Sequence, residues 1–340
     1  PSKLTPEMQI WHRRLWAAIN GNTYPNPDSA ASSGDLYFIG RTLNDHITAL
    51  LVAFRATGDL KLLAEVDRLM QVARGQLKDY NGDGYLNWRW LFSKDSIYYG
   101  KDTHHMDEML THTLVAAAAY ALKVNAQFNP TYGQHADFWT SYLVNQFLPK
   151  WKARGGIDKP LTHPYAQFMR FYYYLYRLTG NSAYLTEANR RAGVLNSMMV
   201  QRKTSRGTAF TWDHAVPNMG LDPWGCQPAV YSLITLSAVN DLALEGFNNY
   251  ARDDYMRYYA ATFRDILANY GTSQLAGDVC GAGRESFNKF MITGIPGLIA
   301  WDTTGVLKNL TAQAYKLENN PEAPSRIFIP AYMLQALAAT

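Results

Sequence analysis

The chain has few of the features that mark metal-binding, membrane or nucleic-acid-binding proteins. Its 340 residues include only two cysteines and no CxxC pair, which excludes the common thiolate zinc sites. No apolar run is long enough for a transmembrane helix, and no cluster of lysine and arginine indicates nucleic-acid binding. We therefore expect neither a membrane nor a nucleic acid as partner.

The two cysteines, Cys226 and Cys280, leave one question open. They can form a single disulfide bond if the protein matures in an oxidising compartment. Two free buried thiols fit the sequence equally well. The spacing does not decide between these two states.

The chain also lacks any segment with the composition of an interdomain linker. It has no Ser/Gly tract, no charge run and no low-complexity stretch, so the simplest interpretation is one domain over residues 1–340. Apolar residues make up 47% of the chain, enough for a large core. Strand-type alternation is nearly absent, which predicts an all-α fold.

The strongest positive pattern is a glycine turn that recurs after runs of helix-type sequence. Arg55-Ala-Thr-Gly-Asp59 and Arg177-Leu-Thr-Gly-Asn181 are near copies, and weaker versions lie at Asn125 and Gly246. Glycine after one helix and Asp or Asn before the next are typical of a helical hairpin. The repeat of roughly 60 residues therefore predicts a series of stacked hairpins.

The predicted helices come in pairs whose two members differ in character. The first member is apolar all round and the second alternates charged with apolar residues, which indicates an inner and an outer layer. The sequence thus predicts an (α/α) toroid, or incomplete barrel, of about five to seven helical hairpins. The predicted helical regions are 5–20, 35–57 and 60–77, 103–124 and 130–153, 160–178 and 183–202, 226–245 and 248–270, 285–317, and 325–338.

Long loops precede the inner helices, at 21–34, 78–102, 203–225 and 271–284. A functional groove is expected on the face where these loops meet the first turns of the inner helices. Ionisable and polar residues are concentrated there. The catalytic candidates are His105, His163, Tyr165 and His214, and the substrate-binding candidates are Arg41, Asn44, Gln167, Arg206, Trp212, Trp224 and Arg284.

These residue types suit the removal of a proton from a carbon next to a carboxylate. A His or Tyr takes the proton, a Tyr returns one to the leaving oxygen, and a cation or amide stabilises the carboxylate as charge builds up. The net charge of +4 and the 14% of aromatic residues fit an acidic polysaccharide as the partner.

One segment resembles the first half of an EF-hand calcium loop. Asp79, Asn81 and Asp83 stand at the first three ligand positions, and a glycine follows them. The twelfth position holds Trp90 instead of a glutamate, so the bidentate ligand is missing. The alternative is an Asx-rich turn without a metal, and we expect no other cofactor.

The hairpin ring, with His and Tyr at the inner-helix starts and Arg and Asn around them, resembles bacterial (α/α)-toroid polysaccharide lyases, in particular alginate and glucuronan lyases. The resemblance implies β-elimination at 4-linked uronic acids, with His and Tyr as base and acid and with Arg or Asn neutralising the carboxylate. It matches His163 to the family's histidine and Arg206 to its arginine. The tyrosine that follows this arginine in the family is Trp212 here, so the resemblance leaves the acid to Tyr165, Tyr37 or His214.

Two other functions fit the same sequence. An (α/α) glycoside hydrolase needs two acidic residues a short distance apart, and a glycan-binding ring needs only the aromatic residues. If the chain is a lyase, we expect a monomer in the periplasm or outside the cell. The acidic residues available to a hydrolase are Asp107, Glu108, Asp213 and Asp222.

Overall fold

The computed structural model describes residues 4–21, 26–221, 223–268, 274–286, 297–317 and 327–338. No helix among them is both long enough and apolar enough to cross a bilayer. The helices are α1 (Pro6–Asn20), α2 (Pro27–Ser32), α3 (Leu36–Phe38), α4 (Asn44–Thr57), α5 (Leu60–Arg74), α6 (His105–Val124), α7 (Pro130–Tyr142), α8 (Leu148–Ala153), α9 (Thr162–Thr179), α10 (Ser182–Met198), α11 (Ala229–Leu244), α12 (Asp253–Ala261), α13 (Val306–Leu317) and α14 (Phe328–Ala338).

The chain divides into two compact units. The first unit comprises Pro25–Lys159 and Phe171–Thr186, and the second comprises Ser2–Tyr24, Pro160–Arg170 and Glu187–Thr340. The organisation as one domain over residues 1–340 stays a prediction.

The hairpin turns have the local chemistry that the sequence predicts. Gly58 ends α4 in the left-handed conformation, with φ of 67°, and the Asp59 side chain accepts a hydrogen bond from the Lys61 backbone amide at 3.0 Å. Gly180 follows α9 with φ of 72°, and Asn181 accepts from the Ala183 amide at 3.0 Å. A left-handed glycine and a polar N-cap together satisfy the helix ends and reverse the chain.

Burial separates the two kinds of helix as predicted. Helix α6 is buried along most of its length, including the apolar run from Leu114 to Tyr120, and α11 is mostly buried. Helix α5 buries one face, with Leu62, Leu63 and Val66 inside and charged residues outside. Apolar packing therefore decides which helices lie inside each unit.

Two short sheets among the described residues correct the sequence prediction. Strands β1 (Val200–Thr204) and β2 (Gly207–Thr211) form an antiparallel hairpin, so the helix predicted to 202 ends at Met198 instead. Strands β3 (Gln274–Ala276) and β4 (Arg284–Ser286) also pair, so the helix predicted from 285 is wrong at its start. Cross-strand pairing outweighs helix propensity in both places.

In the described part of the chain, three π-helical turns adjoin the helices, at Ile39–Leu43, Leu143–Phe147 and Thr262–Leu267. The first joins α3 to α4 and contacts α6 closely at Gly40. A Cβ atom on Gly40 would lie 2.8 Å from Thr111 Oγ1 and 3.0 Å from the Asp107 carbonyl oxygen. Glycine therefore allows the π-helical turn to approach α6 at the level of Asp107.

Candidate active site

The second unit brings two histidines, a tyrosine and a tryptophan together. The rings of His163 and His214 are nearly parallel with centroids 5.4 Å apart, and the Tyr231 ring lies 4.5 Å from His163 and 5.1 Å from His214. The Trp224 ring lies 5.0 Å from His214 and is 65% exposed. These four side chains form the imidazole–phenol cluster.

Hydrogen bonds of Thr162 at the start of α9 hold the two histidines side by side. The Thr162 amide donates to the His214 carbonyl oxygen at 3.0 Å, and Thr162 Oγ1 donates to the Asp213 carbonyl oxygen at 2.7 Å. Because His163 is the next residue in α9, these contacts fix it beside His214. The cluster therefore depends on the hydrogen bonds that join the first turn of α9 to the loop that carries His214.

Asp213 organises that loop. Its Oδ1 accepts hydrogen bonds from the amides of Ala215 at 2.7 Å and Trp224 at 3.0 Å, and its Oδ2 accepts from the Gly225 amide at 2.9 Å. A carboxylate that accepts several backbone hydrogen bonds fixes the path of the chain around it. Asp213 thus fixes the backbone on which His214 and Trp224 stand.

A disulfide bond settles the state of the cysteines. Cys226 is bonded to Cys280. Cys226 lies two residues after Trp224, and the Val279 amide donates to the Gln227 carbonyl oxygen at 3.0 Å. The loop that carries Trp224 is therefore covalently anchored near the cluster.

The environment of His214 favours the neutral imidazole. Burial lowers the pKa of His214, and the Asp213 carboxylate offsets only part of this effect. Its Nδ1 atom is buried and has no hydrogen-bond partner among the described residues. Burial thus keeps the ring neutral at neutral pH, with one ring nitrogen able to accept a proton.

Three predicted site residues of the second unit lie in the interior, which corrects their interpretation. Trp212 is 2% exposed and its indole donates to Gln227 Oε1, so it packs inside and does not offer a ring face to a sugar. Tyr165 is buried beneath the Arg191 guanidinium. Gln167 is buried and donates to Ile234 O and Ser237 Oγ, which ties α9 to α11.

Two predicted arginines lie near short strands of the second unit. Arg206 is exposed in the turn between β1 and β2, and Arg284 is exposed at the start of β4. Arg284 Nη1 is 3.4 Å from Gln274 Oε1. Their roles in substrate binding stay predictions.

In the first unit, His105 and Asn44 make contacts of their own. His105 Nδ1 is 2.6 Å from the Ile157 carbonyl oxygen, and its ring meets Trp151 edge-on. Burial lowers the pKa of His105, and the contact with Ile157 offsets this in part. Asn44 is buried and donates to the Gly40 and Leu110 carbonyl oxygens, so it braces the π-helical turn and does not face a groove.

The adjacent acids of α6 are both buried and engaged. Asp107 accepts hydrogen bonds from Arg41 Nε at 2.9 Å and from Trp90 Nε1 at 2.8 Å. Glu108 Oε2 accepts from Lys150 Nζ at 3.0 Å and from Trp151 Nε1 at 2.7 Å. Burial raises the pKa of Glu108, although Lys150 opposes the shift.

The calcium candidates form an Asx-rich turn. Asp79 accepts hydrogen bonds from the Asp83 and Gly84 amides at 3.1 and 2.9 Å. Asn81 donates to Asp102, and Asp83 is paired with Arg154. These contacts account for the turn without an ion, and calcium binding stays a prediction.

Sequence reasoning missed Tyr231. It lies in the first turn of α11, much as His163 lies in the first turn of α9. This position, equivalent to that of His163, is the feature of the sequence that could have identified Tyr231 as a candidate. The resemblance places a tyrosine soon after Arg206, whereas Tyr231 lies on α11, beyond the loop that carries His214 and Trp224.

No protein-family profile and no curated protein matches the chain. Among solved structures it is similar to a glycosyl hydrolase of family 88 from Bacteroides vulgatus, with 11% identity over 99% of each chain and a TM-score of 0.50. It is also similar to the GH76A α-1,6-mannanase from Salegentibacter sp. HEL1_6, with 12% identity over 98% of each chain and a TM-score of 0.45. The likeness to the family 88 protein is one of fold, and the chain is an all-α protein of the (α/α)-toroid class.

Proposed function

We propose that the chain is a carbohydrate-active enzyme, and specifically a lyase that cleaves a 4-linked polyuronate, alginate or glucuronan, by β-elimination. The observation that carries the proposal is the imidazole–phenol cluster, in which two imidazoles and a phenol lie within 5.4 Å of one another beside an exposed tryptophan. The fold it shares with a glycosyl hydrolase of family 88 supports activity on carbohydrate.

The chemistry can be written with the residues of the cluster. His214, held neutral by burial, takes the proton from C5 of the uronate. The electron pair forms the C4–C5 double bond, the C4–O bond breaks, and the Tyr231 hydroxyl gives a proton to the leaving oxygen. Trp224 offers an exposed ring on which a sugar can stack. Charge that develops on the carboxylate needs a cation, and Arg206 and Arg284 of the second unit stay the candidates for this role.

Assignment of the base to His214 departs from the resemblance, which favours His163. His163 is 1% exposed, whereas His214 is 6% exposed and its ring also contacts the exposed Trp224. We therefore propose that His163 orients the His214 and Tyr231 rings. His105 stays a candidate of the first unit.

The state of the acidic residues disfavours a hydrolase. A glycoside hydrolase needs two carboxyl groups about 5–10 Å apart that face the bond to be cleaved. Asp107 and Glu108 are buried in polar contacts, and Asp213 binds three backbone amides. Asp222 lies outside the described residues. The name of the family 88 neighbour keeps hydrolysis as the second candidate.

The products distinguish the candidates. Alginate, glucuronan and a neutral mannan are incubated separately with the protein, and both ultraviolet absorbance and reducing ends are followed. A lyase gives an absorbing unsaturated uronate from a polyuronate, and none from the mannan. Reducing ends without absorbance would replace the proposal with hydrolysis, and binding without either product would indicate a glycan-binding protein.

The pH dependence of the reaction tests His214 as the base. A base works only when it is unprotonated, and burial lowers the pKa of His214 below the ordinary histidine value of about 6.5. We expect kcat/KM to stay high as the pH falls through the ordinary histidine pKa of about 6.5, and to decline only at lower pH. The measurement is the rate of absorbance increase across buffers of constant ionic strength. If kcat/KM already declines at a pH above the ordinary histidine pKa, His214 is not the buried, neutral base proposed here.

The disulfide bond bears on where the enzyme works. Bonds of this kind persist in oxidising compartments, and Cys226–Cys280 is one. This supports the proposal that the protein acts in the periplasm or outside the cell. A monomer remains our expectation.

A further inference from the structure

The first unit carries a cluster of exposed aromatic rings that the proposed chemistry does not use. The Tyr37 and Phe92 rings stack with centroids 3.8 Å apart, and Phe38 meets both rings edge-on. Phe92 is 51% exposed and Phe38 is 39% exposed. Contiguous exposed aromatic surface marks a binding site more often than a lone exposed ring does.

A guanidinium lies against the same rings. Arg41 Cζ is 4.5 Å from the centroid of the Tyr37 ring, and Arg41 Nε donates to Asp107 Oδ1 at 2.9 Å. A third of the Arg41 side chain is exposed. Within the described residues, Nη1 and Nη2 of Arg41 have no hydrogen-bond partner. Tyr37, Phe38, Arg41 and Phe92 together form the aromatic–guanidinium face.

Asp107 holds this guanidinium in place from behind. Its side chain is fully buried, and its second oxygen, Oδ2, accepts from Trp90 Nε1 and lies 3.0 Å from His104 Nδ1. Burial raises the pKa of Asp107, but the contact with His104 and the charge of Arg41 outweigh it, so the pKa lies below the usual range. Asp107 therefore stays ionised and fixes the direction of Arg41 through Nε.

The backbone keeps the aromatic rings beside Arg41. Asp35 Oδ1 accepts hydrogen bonds from the Tyr37 and Leu91 amides, both at 2.9 Å, and so joins the segments that carry Tyr37 and Phe92. Arg41 itself stands in the π-helical turn Ile39–Leu43, and such turns occur frequently at functional sites. The face is thus built on restrained backbone and not on a free loop.

Two kinds of group meet on this face, and together they select a ligand. The exposed rings suit the C–H face of a pyranose, and the two terminal nitrogens of an arginine match the two oxygens of a carboxylate. A neutral sugar would leave the guanidinium unused, and an inorganic anion would leave the rings unused. A uronic acid residue satisfies both.

We propose that the aromatic–guanidinium face binds one uronate residue of a polyuronate chain, with Arg41 on the carboxylate and Phe92 and Phe38 against the sugar ring. Asp107 is the positioning residue of Arg41. The inference takes its ligand class from the proposed function, but it concerns binding and not the chemical step.

Binding is measured by calorimetry with an oligomer of alginate and with the same oligomer after reduction of its carboxyl groups. The full chain carries Tyr231→Phe so that turnover does not interfere. Arg41→Lys keeps the charge but loses the paired donors, and we expect it to weaken binding of the native oligomer about ten- to a hundredfold. Binding of the reduced oligomer should not change. Arg68→Lys is the matched control, because Arg68 is another partly exposed arginine of the first unit paired with acids.

The other members of the face have distinct signatures. Phe92→Ala should weaken the native and the reduced oligomer equally, since it removes only ring contact. Asp107→Asn should act like Arg41→Lys and affect the native oligomer alone, whereas a merely structural role would weaken both. Unchanged affinity in Arg41→Lys, or failure of the Tyr231→Phe chain to bind the oligomer, would overturn the proposal. If binding follows this pattern but the unsubstituted protein gives no unsaturated product, the face stands and the lyase assignment fails.

Discussion

Replacing Tyr231 with phenylalanine is expected to reduce the rate of unsaturated-product formation by about 10²–10⁴-fold, the usual contribution of a positioned acid or base. The substitution removes only the hydroxyl group. The ring that stacks against His163 and lies 5.1 Å from His214 is kept, so the cluster should retain its packing. The measurement is kcat from initial rates of ultraviolet absorbance on saturating polyuronate.

Tyr315→Phe is the matched control for this variant. Tyr315 also belongs to the second unit, where it meets Trp11 edge-on, outside the cluster. Its loss of a hydroxyl should leave kcat unchanged. If Tyr231→Phe retains the rate of the unsubstituted protein while both variants fold normally, the phenol has no part in the reaction and the acid must be sought elsewhere.

Replacing Lys150 with methionine is expected to cost about 3–5 kcal/mol of unfolding free energy, the usual result of removing one partner of a buried ion pair. Lys150 is 1% exposed and donates to Asp102 Oδ2 at 2.8 Å and to Glu108 Oε2 at 3.0 Å. Without it, Asp102 keeps its contact with Arg154, which also pairs with Asp83, whereas Glu108 has no ion pair with Arg154. The measurement is urea unfolding at neutral pH.

Two further variants test whether the loss comes from the buried charges. Lys152→Met changes an exposed lysine of the same helix, α8, and should alter stability by no more than about 0.5 kcal/mol. Adding Glu108→Gln to Lys150→Met removes the carboxyl group that has lost its pairing with Lys150, and should recover part of the lost stability. A Lys150→Met protein as stable as the Lys152→Met protein would mean that the ammonium group does not compensate these carboxyl groups.

The helical hairpins could be predicted because their signals are local. Gly58 and Gly180 adopt positive φ at the ends of their helices, and the next residue caps the following helix, so a few adjacent letters fix each turn. The apolar character of α6 also marks its burial directly. The fold class follows from these features and from the repeat.

The strand hairpin was missed because its stability comes from pairing. Residues 200–202 continue the polar pattern of α10, and only the antiparallel partner, which runs from Gly207 to Thr211, makes them a strand. The exposed pattern of β1 also hides the alternation that normally marks a strand. A local pattern could not supply this information.

The candidate site was predicted in part, for a similar reason. His163 and His214 were found from their positions near helix starts, but their contact depends on Thr162 and on the path that Asp213 gives to the loop. Polar letters near a helix start could not tell Trp224, which is exposed, from Trp212, which is buried. Which way a side chain points is decided by the tertiary packing.

The π-helical turn at Ile39–Leu43 affects how this chain must be compared with its relatives. A π-helical turn bonds residue i to i+5 and so holds one residue more than an ordinary helical turn. In an alignment it therefore looks like a single-residue insertion. When a relative lacks this extra residue, Arg41 is aligned with the wrong residue unless a gap is placed within the turn. An arginine that both proteins share could then be overlooked.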